Sequence, residues 1–378
     1  MPAKPTVGAD LLGASRLVLE AVTGVTELVE AVHMNVLDKA IGTPLIRPVS
    51  GVTSLVYRSV KGATRLVGGG LDAVLGRLAP ALGSPSEWAG REALVAALNG
   101  VLGDRLAASG NALAIPMRLR VAGEPSARIV LLAHGLCMND AQWLRDRHDH
   151  GAMLARERGY TPVYLHYNSG RHIADNGREL AAQLQTLVDG WPVPVEEIAI
   201  VAHSMGGLVA RSSCHAAAES GHGWLQRLRS MVFLGTPHHG APLERGGNWV
   251  HLLTDSSVYS APFSRLAKIR SAGITDLRHG SVLDAQQDRF AHGVPLPTVL
   301  PLPPGVRCLA VAATVGQREG DWKDNLLAGD GLVPVPSALG QHADPARCLP
   351  LEPLVLYQTN HMQLLSSRQV SDQLLAWL

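Results

Sequence analysis

Ser204 lies in the run Ala202-His203-Ser204-Met205-Gly206-Gly207, after an apolar stretch (198–202) and ahead of Leu208-Val209-Ala210-Arg211. A sharp strand-to-helix turn there pushes one side chain out at the C-terminal edge of a sheet. It also crowds the residues two before and two after, here the small Ala202 and Gly206. A serine so presented is a candidate nucleophile, and acyl chemistry on it needs a general base and two N–H donors for a developing oxyanion. The spacing assigns one donor to the amide of Met205. The other is assigned to Leu136, in Leu132-Ala133-His134-Gly135-Leu136 after a second apolar stretch. His134 precedes the serine and sits in that turn, so its expected role is to hold the loop in shape.

The acid and the base are expected after the serine, in that order. Gly329-Asp330-Gly331-Leu332-Val333-Pro334 follows one apolar stretch, and Asn360-His361-Met362 follows another. Asp330, in an Asp-Gly turn suited to presenting a carboxylate, would fix the tautomer of His361. His361 would take the serine proton and return it to a leaving alcohol. Asp321 and Asp324 lie in the same loop as Asp330 and are alternative acids.

These residues require strands and helices in alternation. Apolar runs at 115–122, 127–135, 161–168, 196–204, 229–237, 306–314 and 353–360 are separated by helical stretches near 140–158, 174–189, 205–219 and 363–378. Near-continuous Val, Ile, Leu and Ala runs mean strands buried on both faces, hence a mostly parallel sheet flanked by helices in an α/β domain. Residues 1–112 read differently. Leu11, Val18, Val22, Val25, Val29, Val32 and Val36 repeat at helical spacing, and further helical stretches follow at 50–79 and 86–108. An all-helical N-terminal extension (1–112) ahead of a catalytic domain (113–378) is therefore expected.

Composition narrows the classes further. The 378 residues carry 33 Lys and Arg against 32 Asp and Glu, a formal net charge of +1, which provides no broad basic field for nucleic acid. Hydrophobic residues make up 46% and charged residues 17%, enough to bury a sizeable core. The four cysteines are widely spaced without a CxxC pair, which argues against a zinc site or a disulfide scaffold. With charges breaking the first twenty residues and no run of 18 apolar residues, a soluble cytoplasmic protein is expected. Between 41 and 82, five basic residues face the single acid Asp72. The segment 50–79 thus has two readings, a helical subdomain on the main domain or a peripheral contact with an anionic membrane.

Together, His134-Gly135-Leu136, Ala202 to Gly207, Gly235-Thr236-Pro237-His238-His239-Gly240, Asp330 to Pro334 and Asn360-His361 resemble the lipase and esterase branch of the α/β-hydrolases. Tyr167-Asn168-Ser169-Gly170-Arg171-His172, leading into Asn176-Gly177-Arg178-Glu179-Leu180, brings the likeness nearest to bacterial proteins similar to the GPI inositol-deacylase group. The resemblance spans about 115–378. It implies hydrolysis of a small-molecule or lipid carboxylic ester through an acyl-enzyme, without a cofactor. In this fold an insertion such as 242–304 caps the active site, and its Leu252, Leu253 and Phe263, with Met138 and Trp143, are expected to line an acyl pocket. His238-His239 and His148-Asp149-His150 lack a third ligand at diagnostic spacing, so no metal is expected. Acyl transfer through the same triad and a non-catalytic, membrane-associated lipid-binding protein are the alternatives.

Overall fold

The computed structural model describes residues 91–241, 271–283, 299–318 and 329–378. The helical repeat from Leu11 to Val36, the helical stretch at 50–79, the candidate pocket residues Leu252, Leu253 and Phe263, and the alternative acids Asp321 and Asp324 lie outside them. Glu92–Ala107 with Ile115–Leu378 form one compact unit, and Met1–Arg91 with Ala108–Ala114 another. In the second unit the described residues end in a turn, where Asn111 Oδ1 accepts the amide of Leu113 at 2.9 Å.

The described residues of the first unit include seven strands: β1 (Arg118–Val121), β2 (Arg128–Ala133), β3 (Thr161–His166), β4 (Glu197–His203), β5 (Leu228–Leu234), β6 (Arg307–Ala313) and β7 (Glu352–Leu356). They lie in the order β1-β3-β2-β4-β5-β6-β7, with β1 antiparallel to β3 and the other pairs parallel. Every residue of β3 is buried, as are all but the first of β4 and β6. This is the outcome expected for strands covered on both faces. β1 is the exposed edge, and its Arg118 and Arg120 suit it to solvent.

The helices among the described residues are α1 (Arg91–Ala108), α2 (His150–Arg158), α3 (Ile173–Asp189), α4 (Met205–Ser220), α5 (Ala272–His279), α6 (Val335–Ala338) and α7 (Arg368–Trp377). α3 buries Ile173, Ala174, Gly177, Leu180, Ala181 and Leu184, one stripe at helical spacing, while α4 is buried on nearly all sides. A parallel sheet with helical crossovers, an antiparallel edge strand and a sharp turn carrying Ser204 after β4 is the α/β-hydrolase fold.

Two expected elements divide. The stretch near 140–158 is a 3₁₀ turn (Asp140–Trp143) and then α2, parted by a tight hairpin in which Arg145 and His148 exchange both backbone hydrogen bonds at 2.8 Å. Its two central residues, Asp146 (φ 49) and Arg147 (φ 62), are left-handed without glycine, so composition does not announce the turn. The stretch near 363–378 is a 3₁₀ turn (His361–Leu365) and then α7. The side chain of Asn360 caps the first piece by accepting the amides of Met362 and Gln363.

α3 and α4 meet where a Cβ on Gly177 would fall 2.2 Å from Ser212 Oγ. Helix propensity alone favours alanine over glycine by about 1 kcal/mol, but overpacking a well-filled contact costs about 1–3 kcal/mol. Packing should win, so Gly177→Ala is expected to lower the unfolding free energy in urea; an unchanged or higher midpoint would contradict this contact.

Candidate active site

The parallel register aligns the C-terminal ends of the strands. Ala133 pairs with Ala202, His203 with Leu234, Leu234 with Val311, and Ala313 with Leu356. The loops after β2, β4, β5, β6 and β7 therefore rise from one edge, and they carry Leu136, Ser204, Gly235, Asp330 and His361.

Ser204 has φ 54 and ψ −124, a conformation that L residues rarely adopt and that costs on the order of 1–3 kcal/mol. Its amide is anchored to the carbonyl of Leu234 at 2.8 Å. A Cβ on Gly206 would lie 2.4 Å from the carbonyl oxygen of Ala133, so the space after the serine is limited to glycine. Met205 opens α4, and its amide is among the first-turn donors that have no acceptor within the helix. The loop after β2 comes equally close, since a Cβ on Gly135 would lie 3.0 Å from Ser204 Cβ and 3.3 Å from Met138 Sδ.

Asp330 and His361 come together. His361 Nδ1 donates to Asp330 Oδ2 at 2.6 Å, both side chains are fully buried, and the amide of His361 bonds the carbonyl of Asp330 at 3.1 Å. Asp330 Oδ1 accepts the amides of Leu332 (2.9 Å) and Val333 (2.8 Å). With Nδ1 donating, Nε2 carries the lone pair, and this buried atom has no partner among the described residues. Ser204 Oγ stands at the same sheet edge without a hydrogen bond to it.

Sequence reasoning missed the role of His203. Its Nε2 donates to the carbonyl of His361 at 3.1 Å, and the two rings lie 4.6 Å apart. Adjacency to the serine was the only available signal, and it does not reveal which backbone group the ring will meet. His134 lies where expected: its Nδ1 donates to the carbonyl of Gly135 at 2.9 Å and its ring stacks on Tyr167. Met138 is buried against the same loop, and Trp143 is fully buried with its edge toward His150.

His238 Nδ1 faces the buried Arg211 guanidinium at 3.4 Å, while His239 Nε2 donates to the carbonyl of Gly340 at 3.1 Å. Among the described residues no three His, Cys, Asp or Glu side chains converge as metal ligands. No described helix is long and apolar enough to cross a membrane.

A family described as "Domain of unknown function (DUF7379)" matches residues 106–277. No curated protein sequence matches the chain. Similar solved structures include a lipase of Bacillus licheniformis in its mature form, 17% identical with a TM-score of 0.43, over 69% of this chain and 98% of that one. A Pyrobaculum calidifontis esterase is 15% identical with a TM-score of 0.41, over 69% and 80% of the respective chains. The naproxen esterase of Bacillus subtilis is 13% identical with a TM-score of 0.39, over 69% and 87%.

Burial holds four histidines of this unit neutral. It lowers His134 to about 3 and His150 to about 4, and takes His203 and His238 well below 6.5. Below pH 6.5 the unfolded chain binds protons that the folded chain refuses, so stability must fall with pH in that window. Urea midpoints are expected to drop steeply between pH 7 and 5; a flat profile would show that these rings are protonated in the folded protein.

Proposed function

We propose that the chain is a serine hydrolase of carboxylic esters, with Ser204 as nucleophile, His361 as general base and acid, and Asp330 as the acid that orients it. The observation that carries this reading is the buried 2.6 Å hydrogen bond from His361 Nδ1 to Asp330 Oδ2, raised at the same sheet edge as a serine in a strained turn.

In the acylation step Ser204 Oγ gives its proton to His361 Nε2 and forms a bond to the ester carbonyl carbon. The carbonyl oxygen becomes an oxyanion, held by the amides of Leu136 and Met205. Asp330 stabilises the imidazolium without taking its proton. When the tetrahedral intermediate collapses, the bond to the alcohol oxygen breaks and His361 returns the proton to it. Water then repeats the sequence on the acyl-enzyme, releasing a carboxylic acid and restoring Ser204. Every step moves one proton through Nε2, which agrees with a tautomer whose other nitrogen is committed to Asp330. Met138, buried with its sulfur close to Gly135 in the loop that approaches Ser204, supports an apolar acyl group over a polar one.

Initial rates on p-nitrophenyl esters of increasing acyl length test the assignment. Ser204→Ala and His361→Ala are each expected to lower kcat by about a thousandfold or more, with the double variant no worse than either. Asp330→Asn should lower kcat by a similar order, because an amide can stabilise the wrong tautomer. Wild-type rates from Ser204→Ala would exclude this mechanism.

A further inference from the structure

Oxyanion stabilisation depends on aiming the Leu136 amide, which belongs to the peptide plane joining Gly135 and Leu136. That plane and its two neighbours are each held by one hydrogen bond. The carbonyl of His134, on the plane before, accepts from Tyr167 Oη at 2.9 Å. The carbonyl of Gly135, on the central plane, accepts from His134 Nδ1 at 2.9 Å. The amide of Cys137, on the plane after, donates to Ser169 Oγ at 3.0 Å. In a trans peptide the N–H points opposite to its C=O, so fixing the Gly135 carbonyl toward His134 turns the Leu136 amide the other way. The imidazole that performs this is itself set by Tyr167, whose ring stacks on it with centroids 4.4 Å apart.

Tyr167 and Ser169 belong to the Tyr167-Asn168-Ser169-Gly170 segment after β3, and neither is a member of the triad. The segment is itself tied down from three sides. Asn168 Nδ2 donates to the carbonyl of Gly103 in α1 at 2.9 Å, and Asn176 Nδ2 in α3 donates to the carbonyl of Asn168 at 3.0 Å. The amide of Gly273 in α5 donates to the carbonyl of Gly170 at 3.0 Å. Tyr167, Asn168 and Ser169 are almost completely buried. Cys137 is held at φ 60, so the chain turns sharply just past Leu136, and its amide points into the clamp.

We propose that the Tyr167–Gly170 segment is the clamp that presets the oxyanion donor of Leu136, with Tyr167 and Ser169 acting as positioning residues for transition-state binding. The assignment rests on the serine-hydrolase reading. It concerns only interactions that strengthen as charge develops on the carbonyl oxygen, so substrate binding in the ground state is left nearly unchanged.

Tyr167→Phe keeps the stacked ring and removes one hydroxyl; Ser169→Ala removes one acceptor. With p-nitrophenyl butyrate, each is expected to lower kcat by roughly tenfold, less than the ~10²–10³ of losing an oxyanion donor outright, with KM within about twofold. Inhibition by phenylboronic acid, which adds to the serine as a tetrahedral anion, should weaken by a comparable factor. Unchanged kcat and boronate affinity in both variants would overturn the clamp, as would losses that merely track the fraction unfolded at the assay temperature. Ser204→Ala is run alongside. Wild-type turnover from it would sink the serine-hydrolase reading itself, whereas an inactive Ser204→Ala beside normal Tyr167→Phe and Ser169→Ala would remove only the clamp.

Discussion

The site depends on placing a carboxylate where water does not reach. Asp330 is buried with no Lys or Arg beside it among the described residues; its oxygens are met by two backbone amides and one imidazole N–H. Burying an unpaired carboxylate would be prohibitive, and these three donors offset that cost. Each donor imposes a geometric demand. The two amides require the tight turn Asp330 to Val333. The imidazole requires β7 to end so that Asn360 can start the turn that presents His361. The chain also returns to the sheet edge next to Asp330, through the amide of Val315 on the carbonyl of Gly329 at 3.0 Å.

The strained serine depends on the same arrangement. A residue at φ 54 persists only when its neighbours over-determine it. Here the amide of Ser204 is held by β5, and Gly206 sits directly over the end of β2. Strand pairing at Ala133–Ala202 and His203–Leu234 sets both contacts, so the register of the sheet sets the position of Ser204. A one-residue slip would turn every side chain of a strand to the other face and disassemble the edge.

Features set by periodicity and chain order were legible in the sequence. β3 to β6 stood out because strands covered on both faces must be apolar throughout, and Ser204, Asp330 and His361 stood out as candidates because each comes after an apolar run in a turn-forming context. Less visible were features in which one side chain meets a distant backbone group. Nothing in Ala202-His203-Ser204 says that the middle ring will support the carbonyl of His361. Asp146 and Arg147 form a left-handed hairpin with no glycine to mark it. Glycines 100 and 103 would ordinarily weaken a helix; in α1 they permit the backbone to lie against Cys137 and Asn168, a long-range contact that propensity cannot encode.

Four histidines of this unit serve a common electrostatic purpose. His134 donates to the carbonyl of Gly135, His203 to that of His361, His150 to that of Leu364 and His239 to that of Gly340. A neutral imidazole offers a directed N–H from a rigid ring and brings no charge. A lysine or arginine could make the same hydrogen bond, but its fixed charge in a low-dielectric setting would oppose an imidazolium forming on His361. Arg211 is the instructive contrast. It is a buried cation, and it reaches toward His238 and the carbonyl of Leu300. Neutral rings thus supply rigidity without charge, and in the proposed reaction Asp330 would be left to offset the charge that His361 gains.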